Sequence, residues 1–298
     1  MSNANSTSST NSSNSSNSST NDAISTSSGE KRRSPYRPVL AAVASVAALG
    51  LALVGCGQQG GGSGSGASDE HKQKAASGGG AKVLWVGDSI AGAEAPAIGA
   101  ALEASGVKFK DASSDGGGTV VDSGEEITRM ISGDTWKQLT ENIKVFKPTV
   151  IAYQVTTYDW GSAEQQRAAY DKLVRTAKDA KAKVVFVSSP PIKIDDFYKQ
   201  HEAQMRTAPK TAEEVAGKSG GTATYLDASR LWGTDRSAKK AQRGPDGIHN
   251  CQQGAAAFAK WFGEELGKSE GFKPAPVDKW AKGGWTGSDR YGKLKCES

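Results

Sequence analysis

Four short apolar runs limit what this chain can fold into. They are KVLWV (82–86), TVIAYQV (149–155), KVVFVS (183–188) and TATYL (222–226). Each is rich in β-branched or aromatic residues and too short for a helix. Runs that are apolar nearly throughout, not alternating, suit strands buried on both faces. VKFK (107–110) adds a shorter candidate strand. Between the runs the pattern turns helical. Residues 90–104 are Ala-rich, DTWKQLTENIKVF (134–146) is amphipathic with Asp134 as a cap, and 163–181 and 253–267 complete the helices. Strands alternating with helices predict an α/β domain, a parallel sheet covered by helices on both faces. In such sheets sites form at the carboxyl ends of the strands.

Only part of the 298-residue chain has this patterning. Residues 1–37 form a Ser/Asn/Thr-rich leader with a basic cluster, too poor in apolar surface to offset chain entropy. Residues 57–80 are a Gly/Ser-rich tether. Residues 81–298 suffice for one domain with a C-terminal tail. Residues 38–56 form an apolar run, preceded by Lys31, Arg32, Arg33 and Arg37 and ending in Leu53-Val54-Gly55-Cys56. A basic cluster, an apolar run and a small residue before cysteine have the layout of an export signal. The last four residues resemble the lipobox of bacterial lipoproteins. That resemblance implies cleavage before Cys56, lipidation of its sulfur, and anchorage at the outer face of the cytoplasmic membrane. An uncleaved spanning helix is the other reading of the same run. Both put the folded part outside the cytoplasm.

With Cys56 set aside, Cys251 and Cys296 remain. An even pair in an oxidising compartment is a disulfide candidate; two free thiols are the alternative. The formal net charge is +5, of which the segment before Cys56 carries +2. The remainder is mild, with no arginine-rich stripe, and gives no reason to expect nucleic acid as a partner. Neither HExxH nor paired Cys-x-x-Cys occurs, so no metal is expected. His71 falls in the tether and His201 in a polar helical stretch.

Two motifs carry chemistry. The first strand runs into Gly87-Asp88-Ser89, which places Ser89 on a strand-to-helix turn beside the N–H groups of a helix start. Asp88-Ser89 as a simple helix cap is the plainer reading. Near the other end, Asp246 and His249 stand three apart before the last helix. An imidazole can take a serine proton near neutral pH, and a carboxylate can fix its tautomer. Alone, this stretch reads more plainly as a capped turn with a surface histidine.

Together, Gly-Asp-Ser after the first strand and Asp-x-x-His before the last helix resemble the SGNH (GDSL-like) hydrolase family. The resemblance implies a flavodoxin-like three-layer sandwich and a serine mechanism without cofactor. It implies Ser89 as nucleophile, His249 as general base and then acid, and Asp246 as the orienting carboxylate. For the oxyanion hole it implies the Ser89 N–H and a glycine N–H, here Gly117 of Gly116-Gly117-Gly118. The family's Gly-x-Asn-Asp block corresponds to Thr156-Thr157-Tyr158-Asp159. Thr156 replaces the glycine and Tyr158 the asparagine. Losing one oxyanion donor costs on the order of 2.7–4 kcal/mol, unless a hydroxyl such as that of Tyr158 donates instead.

These readings imply a serine esterase that removes acyl groups, acetyl above all, from an envelope glycan or small ester. Transfer of the same acyl group to a polysaccharide hydroxyl, and a non-catalytic glycan-binding lipoprotein, are the alternatives. The tail FKPAPVDKWAKGGWTGSDRYGKLKC interleaves Trp280, Trp285 and Tyr291 with basic residues. Its aromatics either pack on the domain or face a glycan. A Cys251–Cys296 bridge would hold this tail against the His249 loop.

Overall fold

The computed structural model of the chain describes residues 80–239 and 242–296. The leader, the export signal with Cys56, His71 and nearly all of the tether lie outside the described residues. No described helix is long and apolar enough to cross a membrane.

The strands are β1 Lys82–Val86, β2 Lys108–Asp111, β3 Val150–Gln154, β4 Lys183–Val187 and β5 Ala223–Leu226. They form one parallel sheet in the order β2-β1-β3-β4-β5. This is the flavodoxin-like order, which reverses between β1 and β3. The helices are α1 Ser89–Ala104, α2 Glu126–Phe146, α3 Ala163–Asp179, α4 Asp196–Lys199, α5 Glu202–Lys218, α6 Ser229–Trp232, α7 Gln252–Glu270 and α8 Asp289–Lys293.

Alternate strand residues serve two separate cores. Val83, Trp85, Val150, Ala152, Val185 and Val187 meet α1 and α7 on one face. Leu84, Val86, Ile151, Tyr153, Val184 and Phe186 meet α2, α3 and α5 on the other. Burial on both faces explains why the runs are apolar throughout. Trp85 fixes the first face: its ring centroid lies 5.9 Å from that of Phe258 and 5.3 Å from that of Phe262, and its indole N–H donates to the Ala91 carbonyl.

Two sequence expectations need correction. Asp134 lies inside α2, which starts eight residues earlier with Glu125 at its cap position. The buried face begins at Thr128 and continues through Ile131, Thr135 and Leu139, so Gly133 does not break it. His201 is not on a polar surface. It is 5% exposed and stacks flat on Trp160, with ring centroids 3.6 Å apart. The sequence pattern also leaves α4 unmarked, and it marks α5 only as a polar helical stretch around His201, without bounds. The buried face of α5 is Ala208, Thr211, Ala212, Val215 and Ala216, a weak apolar signal interrupted by Pro209.

Phe258→Ala empties the contact among β1, α6 and α7. Urea unfolding is expected to show a loss of about 3–5 kcal/mol. A loss below 1 kcal/mol would mean that this face is not the main core.

Candidate active site

The switch point between β1 and β3 is where the motifs converge. Asp88, 1% exposed, follows β1 and caps α1 by accepting the Ile90 N–H at 3.0 Å on Oδ1. Its Oδ2 accepts the Thr157 N–H and hydroxyl, both at 2.8 Å. Asp88 therefore takes the capping role and ties the end of β1 to the end of β3, which leaves Ser89 free for another partner. As the first residue of α1, Ser89 contributes one of the N–H groups that a helix leaves without an internal acceptor.

That partner arrives from 160 positions away. His249 Nε2 lies 2.8 Å from Ser89 Oγ, and His249 Nδ1 lies 2.7 Å from Asp246 Oδ2. The Asp246 Oδ1 accepts the N–H groups of Ile248 at 2.8 Å and His249 at 3.1 Å, so the turn that spaces the two residues also aims the carboxylate. Burial pushes the Asp246 carboxyl up, but the His249 ring and these two N–H groups outweigh it and hold the carboxyl below its ordinary range. With Oδ2 on Nδ1, the carboxylate favours the tautomer that leaves Nε2 to accept the serine proton.

The histidine loop is held from several sides. The Lys193 N–H donates to the Gly247 carbonyl at 2.9 Å, and the Gly244 N–H to the His249 carbonyl at 2.7 Å. Arg243 donates to the Pro191 carbonyl. Cys251 and Cys296 form a disulfide with their Cα atoms 5.5 Å apart. The tail thus ends against this loop.

The tail also meets α1, through a defect in that helix. Pro96 lies inside α1 and has no N–H to give the Gly92 carbonyl four residues back. Arg290 donates to that carbonyl instead. Its guanidinium is held in turn by Asp111 and Asp115, each at 3.3 Å. A side chain at Gly92 would meet Arg290 Nη1 at 2.9 Å, so any larger residue there would have to shift the guanidinium. Next to it, the Tyr291 hydroxyl donates to the Ala93 carbonyl at 3.0 Å. Trp280 and Tyr291 are buried and Trp285 is half-buried, so most of the tail's aromatics pack on the domain.

The proposed oxyanion residues lie on two loops that meet. Gly117 has φ +97°, a left-handed conformation that favours glycine, and the Tyr158 ring closes over the place where a side chain would project. Gly118 presses so closely on the Gly87 carbonyl that a methyl group would overlap it. Tyr158 also packs on Trp160, with centroids 5.1 Å apart. Burial and then the Asp88 charge push the Tyr158 hydroxyl up, so it stays a protonated donor.

Asp159 has a role that the sequence reading did not assign. Fully buried, it accepts hydrogen bonds from Thr119, Tyr153, Tyr170, and the N–H and hydroxyl of Thr156. It joins the Gly116–Gly118 loop, the end of β3 and α3. Burial pushes its carboxyl up, against the pull of these donors. A signal was present: Tyr153 and Tyr170 carry hydroxyls into the apolar core and need an acceptor there. Among the described residues, no group of three or more His, Cys, Asp or Glu side chains could hold a metal.

Asp246→Asn tests the carboxylate. A carboxyl held below its ordinary value, about 3.9, stabilises the fold above that pH, and the contribution is lost as pH falls through its folded value. The thermal-stability gap between wild type and Asp246→Asn is therefore expected to be full near neutrality and to close in acid. A gap that ignores pH would contradict the hydrogen bonds that hold the Asp246 carboxylate ionised. Reducing the Cys251–Cys296 bridge is expected to cost about 4 kcal/mol in urea unfolding by the chain-entropy model and to lower activity. Full activity after complete reduction would show that the histidine loop does not need the tail.

The family described as the SGNH domain, fused to AT3 domains, matches residues 56–237. The match stops before Asp246 and His249, so their placement rests on the geometry above. No curated protein was found to match the chain. Among solved structures, a GDSL-like lipase from Bacteroides thetaiotaomicron is 12% identical with a TM-score of 0.49, covering 63% of this chain and 88% of its own. The periplasmic domain of a lipopolysaccharide acetyltransferase from Salmonella ser. Paratyphi A is 16% identical with a TM-score of 0.44, over 63% and 84%. A catalytic mutant of an acetylxylan esterase from Geobacillus stearothermophilus is 13% identical with a TM-score of 0.46, over 63% and 94%. Such distant likenesses transfer no activity. The family match spans more than half of the chain, and the chain belongs to the SGNH domain family.

Proposed function

We propose that this protein is a serine esterase that removes acetyl or similar acyl groups from a glycan of the cell envelope, working outside the cytoplasmic membrane on a lipid anchor at Cys56. The observation that carries the catalytic part is His249 lying 2.8 Å from Ser89 Oγ and 2.7 Å from Asp246. The anchor is supported by the Leu53-Val54-Gly55-Cys56 stretch after its apolar run, and by the Gly/Ser-rich residues that follow it.

In this reading Ser89 Oγ attacks the ester carbonyl while His249 Nε2 takes its proton. The N–H groups of Ser89 and Gly117 and the Tyr158 hydroxyl receive the developing oxyanion. His249 returns the proton to the departing sugar oxygen, which leaves the acyl group on Ser89. Water then attacks, with His249 as base, and releases the acid. Asp246 keeps its proton off throughout and holds the imidazolium.

The test is hydrolysis of an aryl acetate by residues 81–298. Ser89→Ala and His249→Ala are each expected to lower kcat by about a thousandfold or more. Activity that survives both changes would remove the triad assignment. Acetyl transfer to an added oligosaccharide, exceeding release to water, would replace hydrolysis with transfer as the function. Cys56→Ala protein recovered from the membrane at unprocessed size would favour the spanning helix over the lipid anchor.

A further inference from the structure

The tail and the outer face of α1 enclose a groove of about 740 Å³. The triad does not use it. On the helix side it is lined by Pro96, Gly99, Ala100 and Glu103. Counted from Ser89, these stand at seven, ten, eleven and fourteen residues, and Gly92 stands at three. That spacing keeps them on one stripe of a helix, the stripe that begins at Ser89. From Pro96 to Glu103 the lining stripe is about 10 Å long at 1.5 Å per residue. Arg290, Asp111 and Asp115 line the end nearer Ser89, where Arg290 reaches the Gly92 carbonyl one turn away from it.

The opposite wall is the tail. The Trp285 indole N–H already donates to the Trp280 carbonyl at 2.7 Å, and its ring meets Tyr291 edge-on. The ring is therefore held in place, and what it offers the groove is apolar surface. Around it stand the exposed Lys279, Lys282 and Lys293, none of which joins an ion pair among the described residues. A fixed aromatic face, small residues opposite and polar groups along both edges suit a ligand whose faces are apolar C–H and whose edges are hydroxyls. The length exceeds what an acyl group needs.

We infer that this groove binds the oligosaccharide chain that carries the ester, and that it feeds the chain along α1 to Ser89. The inference deepens the esterase reading and rests on it for the reacting end. Trp285 is a binding residue here, remote from the reacting atoms.

The experiment compares kcat/KM on O-acetylated xylotetraose and chitotetraose with that on the acetylated single sugars. The wild type is expected to favour the tetramers. Trp285→Ala is expected to reduce that preference tenfold or more, mainly through KM, and Trp285→Phe to restore most of it. Equal efficiency on tetramers and single sugars, or a preference untouched by Trp285→Ala, would overturn the groove assignment while leaving the triad standing. The second arm needs no turnover: the Ser89→Ala protein is titrated with the same tetramers by calorimetry. Binding that Trp285→Ala abolishes would support the groove even if no ester were cleaved. Absence of binding to either tetramer would overturn it.

Discussion

Two buried carboxylates hold the active edge of this fold together. A charge removed from water is tolerated only when its hydrogen-bond capacity is met, and both are met from loops that would otherwise be independent. Asp88 takes the Ile90 N–H from its own helix and two donors from Thr157 at the end of β3. Asp159 takes donors from the loop after β2, from β3, from the residues beyond it and from α3. The positions of Ser89, Gly117 and Tyr158 are consequences of those bonds. This also bears on the departure from the family's Gly-x-Asn-Asp block. The aspartate carries the architecture and is kept, whereas position 158 faces the neighbouring loop and accommodates a tyrosine.

A second constraint acts from the chain's end. Pro96 leaves a carbonyl of α1 without its helical donor, and the tail's Arg290 supplies one. The same tail is joined by Cys296 to the residue two past His249. Helix α1, which carries Ser89, and the loop that carries His249, far apart in the chain, are therefore both braced by one segment. Ser89 and His249 face each other across 2.8 Å through this brace as well as through the sheet.

The sheet was legible because the central strands β1, β3 and β4, buried on both faces, leave nearly uninterrupted apolar runs, and the shorter runs beside them mark the edge strands β2 and β5. The triad was legible because Gly-Asp-Ser and Asp-x-x-His each sit at a boundary that the strand and helix pattern locates. The start of α2 was not, since an internal glycine and a buried face carried partly by Thr128, Ser132 and Thr135 hide its periodicity. The bounds of α5 were hidden by a buried face of alanines. The Asp159 hub, the His201–Trp160 stack and the Arg290 seat depend on side chains far apart in sequence, and no local pattern encodes which donor reaches which acceptor. Even so, a phenol in a core strand and a proline in a helix each announce a missing partner.

The proposed chemistry depends above all on Ser89 being a nucleophile activated by His249. Its most direct measurement is the labelling of the folded domain with a fluorophosphonate, followed by peptide mass spectrometry. One covalent adduct is expected, on the peptide that contains Ser89, forming far more slowly when His249 is replaced by alanine. An adduct on another residue, or labelling of Ser89 at the same rate without His249, would contradict it.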